Sequence, residues 1–485
     1  RAAVDRAQGR NVEGSLPHLD VHNVSAVRVG RRIELTVHAS DIATARAVVD
    51  RLGNPLGVFA KSGSAADPDR AVALARTGAF FSNDQAPLSS RTVRFVSGIH
   101  FPPGVARTPN AALYGIENTN RGCALAVDFA PGRAVPPAKR LAGGPCRPGD
   151  AAGCGLGPVT GKADLFDSDF RAVDPGGVPL FRGSSLIGGI GVSGLPPAQA
   201  EFAAVAALAT GFLPDVAPPG VVFIDGIRLP FVEQTSRPAG TSPDPAPTGS
   251  LLVAPRDGAC APEGFLVRPR AGSRLSQAEV ERIVQQAIEA ANRTRAVIRL
   301  PNGSRARMVI AVGDVDGTIL ALYRMPDATV FSIDVAVAKA RNVVWFSTPA
   351  GKADLHPNFP PETAITNRTI SFGAQPLFPA GIDGSGPGPF FDLFAFDTAN
   401  PCSQGSEPAN PRQNGVVFFP GSVPLYDGRD LVGGLGISGD GVEQDDYVSF
   451  QGAEGFLPPE DLWADRVFVD GVRMPFLKFP RNPEG

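Results

Sequence analysis

Lysine, histidine, cysteine and tryptophan are all scarce in this 485-residue chain: six of its 45 basic residues are lysine, and it has five histidines, five cysteines and two tryptophans. Acidic and basic residues nearly cancel, 48 against 45. The chain therefore carries no one-signed field that would draw in phosphates or an anionic bilayer, and nucleic acid is not expected as a partner. No run reaches the roughly 18 apolar residues of a membrane-crossing helix, so no membrane span is expected. Cys123, Cys146, Cys154, Cys260 and Cys402 include no CxxC pair, which argues against structural zinc. A GxSxG elbow and a Walker-type phosphate loop are also missing, so the common hydrolase and NTPase readings lack support.

What the chain has in abundance is glycine and proline, 56 and 48 residues, beside an apolar fraction of 43%. That combination describes globular domains with many turns and long loops, and the length suffices for two or three domains of roughly 100 to 200 residues each. Cys146 and Cys154 bracket a Gly/Pro-rich loop where a short disulfide could replace missing core. Such a bridge implies export, whereas the odd cysteine count fits reduced thiols. Taken with the lysine-poor, loop-rich composition, the expectation is a periplasmic or extracellular protein.

Three blocks recur in the same order, which marks a tandem repeat. Asp69-Arg70-Ala71-Val72-Ala73-Leu74-Ala75-Arg76 is matched by Asp334-Val335-Ala336-Val337-Ala338-Lys339-Ala340-Arg341, each reading as a helix with small residues on one side. Ser90-Arg91-Thr92-Val93 is matched by Asn367-Arg368-Thr369-Ile370. The longest block runs from Val178-Pro179-Leu180-Phe181 through Gly188-Gly189-Ile190-Gly191-Val192-Ser193-Gly194 to Phe223-Ile224-Asp225-Gly226. Its copy runs from Val423-Pro424-Leu425-Tyr426 through Gly433-Gly434-Leu435-Gly436-Ile437-Ser438-Gly439 to Phe468-Val469-Asp470-Gly471. The expected organisation is a first unit over 1–232 with an N-terminal extension and a long insertion at about 105–175, a Pro/Gly/Ser-rich linker over 233–268, and a second unit over 269–485.

The second unit is the easier to read. Ser276-Gln277-Ala278-Glu279 is a capping box, and Val280, Ile283, Val284, Ala287, Ile288 and Ala291 follow at helical spacing. Two apolar runs flank Asp314-Val315-Asp316-Gly317, a hairpin signal. The expected unit is α+β, an antiparallel sheet packed with helices. In the first unit the hairpin survives around Gly53, an opening helix is not evident, and Val27–Val29 and Ile33–Val37 alternate apolar with polar in the manner of two short strands.

Asp316-Gly317, Leu320-Ala321-Leu322 with Arg324-Met325, Asp334 with Ala338-Lys339-Ala340, and Gly433 to Gly439 resemble the GlcG/HbpS-like family, sometimes called haem-degrading. The likeness covers residues 275 to 458 well, and about Ala47 to Pro214 more weakly. It implies two profilin-like units carrying long loop insertions, a frequently oligomeric assembly, and haem or a related tetrapyrrole as ligand. Fusion of two units in one chain would mimic a dimer of single ones.

Each remaining motif has a bland reading beside its functional one. Gly189 to Gly194 and Gly434 to Gly439 satisfy GxGxxG, but the alternation of glycine with apolar residues reads as a strand packed closely inside a sheet instead of a nucleotide turn. Asp440, Glu443, Asp445 and Asp446 suit a hard cation, although capping of the next helix explains them more cheaply. His18 and His22 are spaced like a strand face. His100 is the first candidate for haem iron, with Arg91 and Arg94 close enough in sequence to meet propionates, and His356 is the second. Cys123 and Cys402 occupy similar places in the two copies and lack an evident base, which favours structural thiols. The expectation is an exported haem- or tetrapyrrole-binding protein in which catalysis is not required. The alternatives are a structural or accessory subunit docking a redox partner protein, and a haem-degrading enzyme with His100 and Arg94 nearest the chemistry.

Overall fold

The computed structural model describes residues 45–51, 53, 55–61, 68–97, 113–116, 173–208, 211–215, 222–224, 227–239, 249–252, 263–379, 385–399, 404–407 and 412–485. The five cysteines, His18, His22, His38, His100, the two short strands expected before Ala45 and most of the 105–175 insertion lie outside the described residues.

The first half contributes β1 (Ala45–Asp50), β2 (Pro55–Lys61), α1 (Pro68–Phe81), α2 (Ser90–Val96), β3 (Gly177–Arg182), β4 (Ser185–Ser193), α3 (Pro197–Leu208), the hairpin β5 (Phe223–Ile224) and β6 (Ile227–Arg228), and β7 (Gly249–Leu252). The second contributes β8 (Gly264–Val267), α4 (Gln277–Arg293), β9 (Val309–Gly313), β10 (Ile319–Arg324), α5 (Ser332–Phe346), α6 (Pro349–Leu355), α7 (Asn367–Gly373), α8 (Phe391–Ala399), β11 (Ser422–Asp427), β12 (Asp430–Ser438), α9 (Val442–Gly452) and the hairpin β13 (Phe468–Val469) and β14 (Val472–Arg473). Two five-stranded sheets result, ordered β3-β4-β1-β2-β7 and β11-β12-β9-β10-β8. All neighbouring strands in both are antiparallel. The fold is α+β, as expected. The stretch 233–268, expected to be a linker, supplies the last strand of each sheet. Gly249-Ser250-Leu251-Leu252 and Gly264-Phe265-Leu266-Val267 are short apolar runs able to pair with the open edges of β2 and β10, and their Pro/Gly-rich surroundings conceal them in the sequence.

The local signals explain why these elements form. In α4 the Ser276 hydroxyl accepts from Glu279 N, the Glu279 carboxylate returns a bond to Ser276 N, and Val280, Ile283, Val284, Ala287 and Ala291 are buried. Asp314 and Gly317 close the β9–β10 turn with a 3.0 Å bond from Gly317 N to Asp314 O. Gly317 has a φ of +83°, which a side chain would strain. The glycine-rich blocks are the interior strands β4 and β12. A methyl group on Gly189 or Gly191 would run into the carbonyl oxygens of Ala75 and Ala71, and one on Gly434 or Gly436 into those of Ala340 and Ala336. Here the glycines let helices α1 and α5 lie directly on the sheets, and the small residues of both helices complete the fit.

Side-chain bonds recur between the halves as faithfully as the sequence blocks. Arg76 Nε donates to Gly53 O at 2.9 Å, and Arg341 Nε to Gly317 O at 2.9 Å. Arg91 pairs with the buried Glu201, and Arg368 with the buried Asp446. Those two carboxylates also accept Glu233 N and Lys478 N respectively, at 3.1 and 3.0 Å. Thr92 and Thr369 each complete a capping box and then donate to the carbonyls of Pro230 and Pro475.

The halves share one apolar core. Phe81 at the end of α1 stacks on Phe331 with ring centroids 4.2 Å apart. Beside that stack, Arg299 with a fully buried side chain donates to Asp327 Oδ2 at 2.7 Å, and Arg51 reaches Asp327 Oδ1 at 2.6 Å. Asp84 N donates to the same Asp327 oxygen, and Gln85 bridges to Leu300 O at 2.7 Å. Burial raises the carboxyl of Asp84, whereas Arg299 and Arg51 hold that of Asp327 below its ordinary value despite burial.

Candidate functional site

A cleft of about 350 Å3 opens where the two halves meet, within the range of roughly 300 to 1,000 Å3 typical of small-molecule sites. Its apolar lining comes from both halves, with Val297, Ile298 and Val442 among the contributions of the second. Phe81 ends α1, and Val93 and Val96 project from the buried side of α2, where the Ser89–Thr92 capping box fixes the start of that short helix. Leu88, Leu113, Ile116 and Ile224 extend the wall, and Phe331 and Phe419 approach from the second half. Polar lining residues are Ser438 at the end of β12, then Asp440, Glu443, Gln444 and Asp445 around the start of α9. Arg295, Lys478 and Arg481 are exposed lining residues.

The acidic group singled out in the sequence separates into different roles. Asp446 is spent on Arg368. Glu443 pairs with Lys478 at 2.5 Å. Asp445 Oδ2 receives Lys339 Nζ at 3.0 Å, and the same ammonium donates to Ile437 O at 2.7 Å and lies 5.0 Å from the centre of the Phe419 ring. Both side chains of this pair are buried. Desolvation lowers Lys339 and pushes Asp445 up to about 7, each against the pull of its partner. Asp440 Oδ1 accepts Val297 N at 2.6 Å and Gly441 N at 2.9 Å, while its Oδ2 is buried without a hydrogen-bond partner. Burial outweighs those backbone donors and raises the Asp440 carboxyl. Among the described residues no three His, Cys, Asp or Glu side chains group as metal ligands do.

The sequence candidates are not gathered at one point. His100 lies outside the described residues. Arg91 belongs to the same helix as Val93 and Val96, but its guanidinium is held by Glu201 and Glu233. Arg94 is half exposed and bonded to Asp174 Oδ1 at 2.8 Å. His356 caps the C-terminus of α6, where its Nδ1 accepts Asn358 N at 3.2 Å, and it does not line the cleft. Reasoning from single motifs missed Lys339, Phe419, Arg295 and Arg481. A signal for the first was present: Lys339 and Asp445 correspond to Leu74 and Ala200 of the first copy, a charged pair replaced in concert by an apolar one.

Comparison with known proteins gives two family matches. Residues 1–56 match the family described as PurS, phosphoribosylformylglycinamidine (FGAM) synthase, in a stretch that lies mostly outside the described residues. Residues 275–454 match the family described as haem degrading protein HbpS-like. No curated protein matches the chain. Among solved structures, the PduOC:heme complex is similar with 23% identity and a TM-score of 0.25, covering 38% of this chain and 95% of that one. Klebsiella pneumoniae protein ORFY, of the DUF336 family, is similar with 17% identity and a TM-score of 0.25, covering 39% of this chain and 93% of that one. The HbpS-like match over residues 275–454 runs from the approach to α4 to just beyond the end of α9, and over that stretch the chain is similar to the family.

Proposed function

We propose that the chain is an exported tetrapyrrole-binding protein made of two fused HbpS-like units, with haem or a relative of haem seated in the cleft between them. The observation that supports this reading is the cleft's mixed lining, in which apolar side chains of α1 and α2 occur together with the exposed Arg295 and Arg481. A flat apolar macrocycle with carboxylates at one edge has that distribution: its body removes apolar surface from water, and its carboxylates meet arginine or lysine. Arg295 and Arg481 would hold the carboxylates, and Phe81, Val93, Val96 and Phe331 the ring. The family match over residues 275–454 supports the same ligand class.

Haem, when bound, brings a redox-active iron that usually takes an axial His, Cys, Met or Tyr. None of those types occurs among the described lining residues. His100 follows Val96, a lining residue, by four positions in the sequence. We therefore assign His100 as the candidate iron ligand. The test is an absorbance titration with haemin. A saturable Soret shift with one equivalent per chain, displaced in wavelength by His100→Ala and weakened several-fold by Arg481→Glu, is the expected result. Absence of saturable binding overturns the reading.

A further inference from the structure

The start of α9 carries more hydrogen-bond donors than it uses. Its cap residue, Gly441, has no side chain to accept from the first turn, and among the described residues the N–H groups of Val442, Glu443 and Gln444 meet no acceptor. A side chain on Gly441 would come 2.5 Å from Gln444 Oε1 and from a Val297 methyl, so close packing keeps a capping group out. The Gln444 side chain adds a second, independent signal. It is 6% exposed and lines the cleft, its amide has no hydrogen-bond partner among the described residues, and its polar atoms stay open to the cleft. Donors held in this way are unfavourable until an acceptor reaches them, and a helix start is well suited to receive a ligand oxygen. In the first half, α3 begins differently: Pro197 stands where Val442 does and has no N–H, and Gln199 N, the equivalent of Gln444 N, is satisfied by Pro196 O at 3.0 Å. The unmet donors therefore belong to the cleft and not to a general need of the fold.

The ligand atom that suits these donors is an uncharged oxygen. Asp440, Glu443 and Asp445 line the cleft around the same helix start, and the cations nearest them, Lys478 and Lys339, are already committed to Glu443 and Asp445. A ligand carboxylate placed there would face like charge, whereas a hydroxyl or carbonyl takes up the donors without that cost. We propose that the start of α9 and the Gln444 amide bind an uncharged oxygen substituent of the tetrapyrrole, on the ring edge away from its carboxylates, so that the cleft prefers an edge bearing such an oxygen to one that is wholly hydrocarbon. This rests on the tetrapyrrole reading above and narrows it from the class to the chemistry of the ring edge. Gln444 is then a specificity-determining residue, since a site built to hydrogen-bond a ligand hydroxyl rejects the analogue that lacks it.

The experiment titrates the full-length protein, by absorbance and fluorescence, with haemin and with two metal-free porphyrins that share ring and carboxylates: haematoporphyrin, which carries 1-hydroxyethyl groups, and mesoporphyrin, which carries ethyl groups in their place. The expected result is that haematoporphyrin binds about tenfold more tightly than mesoporphyrin, the scale of one or two hydrogen bonds to donors otherwise left unmet. Its hydroxyls are the better hydrated, so transfer out of water alone would give the opposite order. Gln444→Met keeps an unbranched side chain of similar length without the amide, and should lower that ratio several-fold. Mesoporphyrin binding as tightly as haematoporphyrin, binding of haemin alone, or an unchanged ratio in a folded Gln444→Met protein overturns this inference and leaves the tetrapyrrole reading standing. Failure of all three probes to bind overturns both. If the variant does not fold, the ratio measured on the native protein decides alone.

Discussion

Lys339 and Asp445 show how a single pair of residues can be indispensable without contributing much net stability. Both are desolvated, and their attraction and the Ile437 carbonyl offset that cost. Removing one partner strands the other: Lys339→Met should cost about 3–5 kcal/mol in urea unfolding. The double change Lys339→Leu with Asp445→Ala, which installs the residues of the first half, should recover most of the loss. The pair also titrates. Because Asp445 has a folded-state pKa of about 7, above the ordinary value of about 3.9, the folded protein holds a proton between about pH 4 and 7 that the unfolded chain lacks. The stability from this group is fully present below pH 4 and declines as pH rises through 7. Thermal melting across that range should show the decline, and Asp445→Asn should flatten it. Sequence reading could place Asp445 near a helix start and Lys339 in a small-residue helix. It could not join them, because 106 positions separate the two and only packing of α5 and α9 against β12 brings the charges together.

At the scale of the element, the sequence was legible wherever one local rule sufficed. The Ser276 capping box, the amphipathic face of α4 and the Asp-Gly turn between β9 and β10 depend on residues within a few positions of one another, so their pattern carries their structure. The glycine strands were legible as strands by alternation, but the reason for the glycines is tertiary: helix backbone touches sheet backbone at Gly189, Gly191, Gly434 and Gly436. Gly436→Val should therefore destabilise by about 1–3 kcal/mol or more, with the loss read as an earlier denaturant midpoint, because a side chain there must force α5 off β12. An unchanged midpoint would mean that the helix has room to move. The strands β7 and β8 were illegible for the opposite reason. Four apolar residues in a Pro/Gly-rich stretch acquire strand character only when the edge of β2 or β10 lies beside them.

For the whole molecule, the seam between halves sets both stability and the cleft. Asp327 ties Arg51 of the first half to Arg299 of the second, and Phe81 stacks on Phe331 at the same boundary. Asp327→Ala leaves the buried Arg299 guanidinium without its carboxylate and should cost about 3 kcal/mol, with partial exposure of Asp327 lowering the figure from that of a dry pair. Calorimetry checks this: one cooperative transition in the native protein should split or broaden as the halves uncouple, and ligand affinity should fall with it because the cleft draws a wall from each side. Export is tested separately by thiol alkylation of the protein purified without reductant, where a Cys146–Cys154 bridge leaves those two thiols unlabelled. The sequence by itself determined the repetition, the α+β class, the capped helices and the glycine strands, since each is written in residues that are neighbours or in blocks that recur. The tertiary structure decided the site, because a cleft is a relation between distant segments: it joined the apolar side of α2 to the acidic approach to α9 and assigned Arg91 to Glu201.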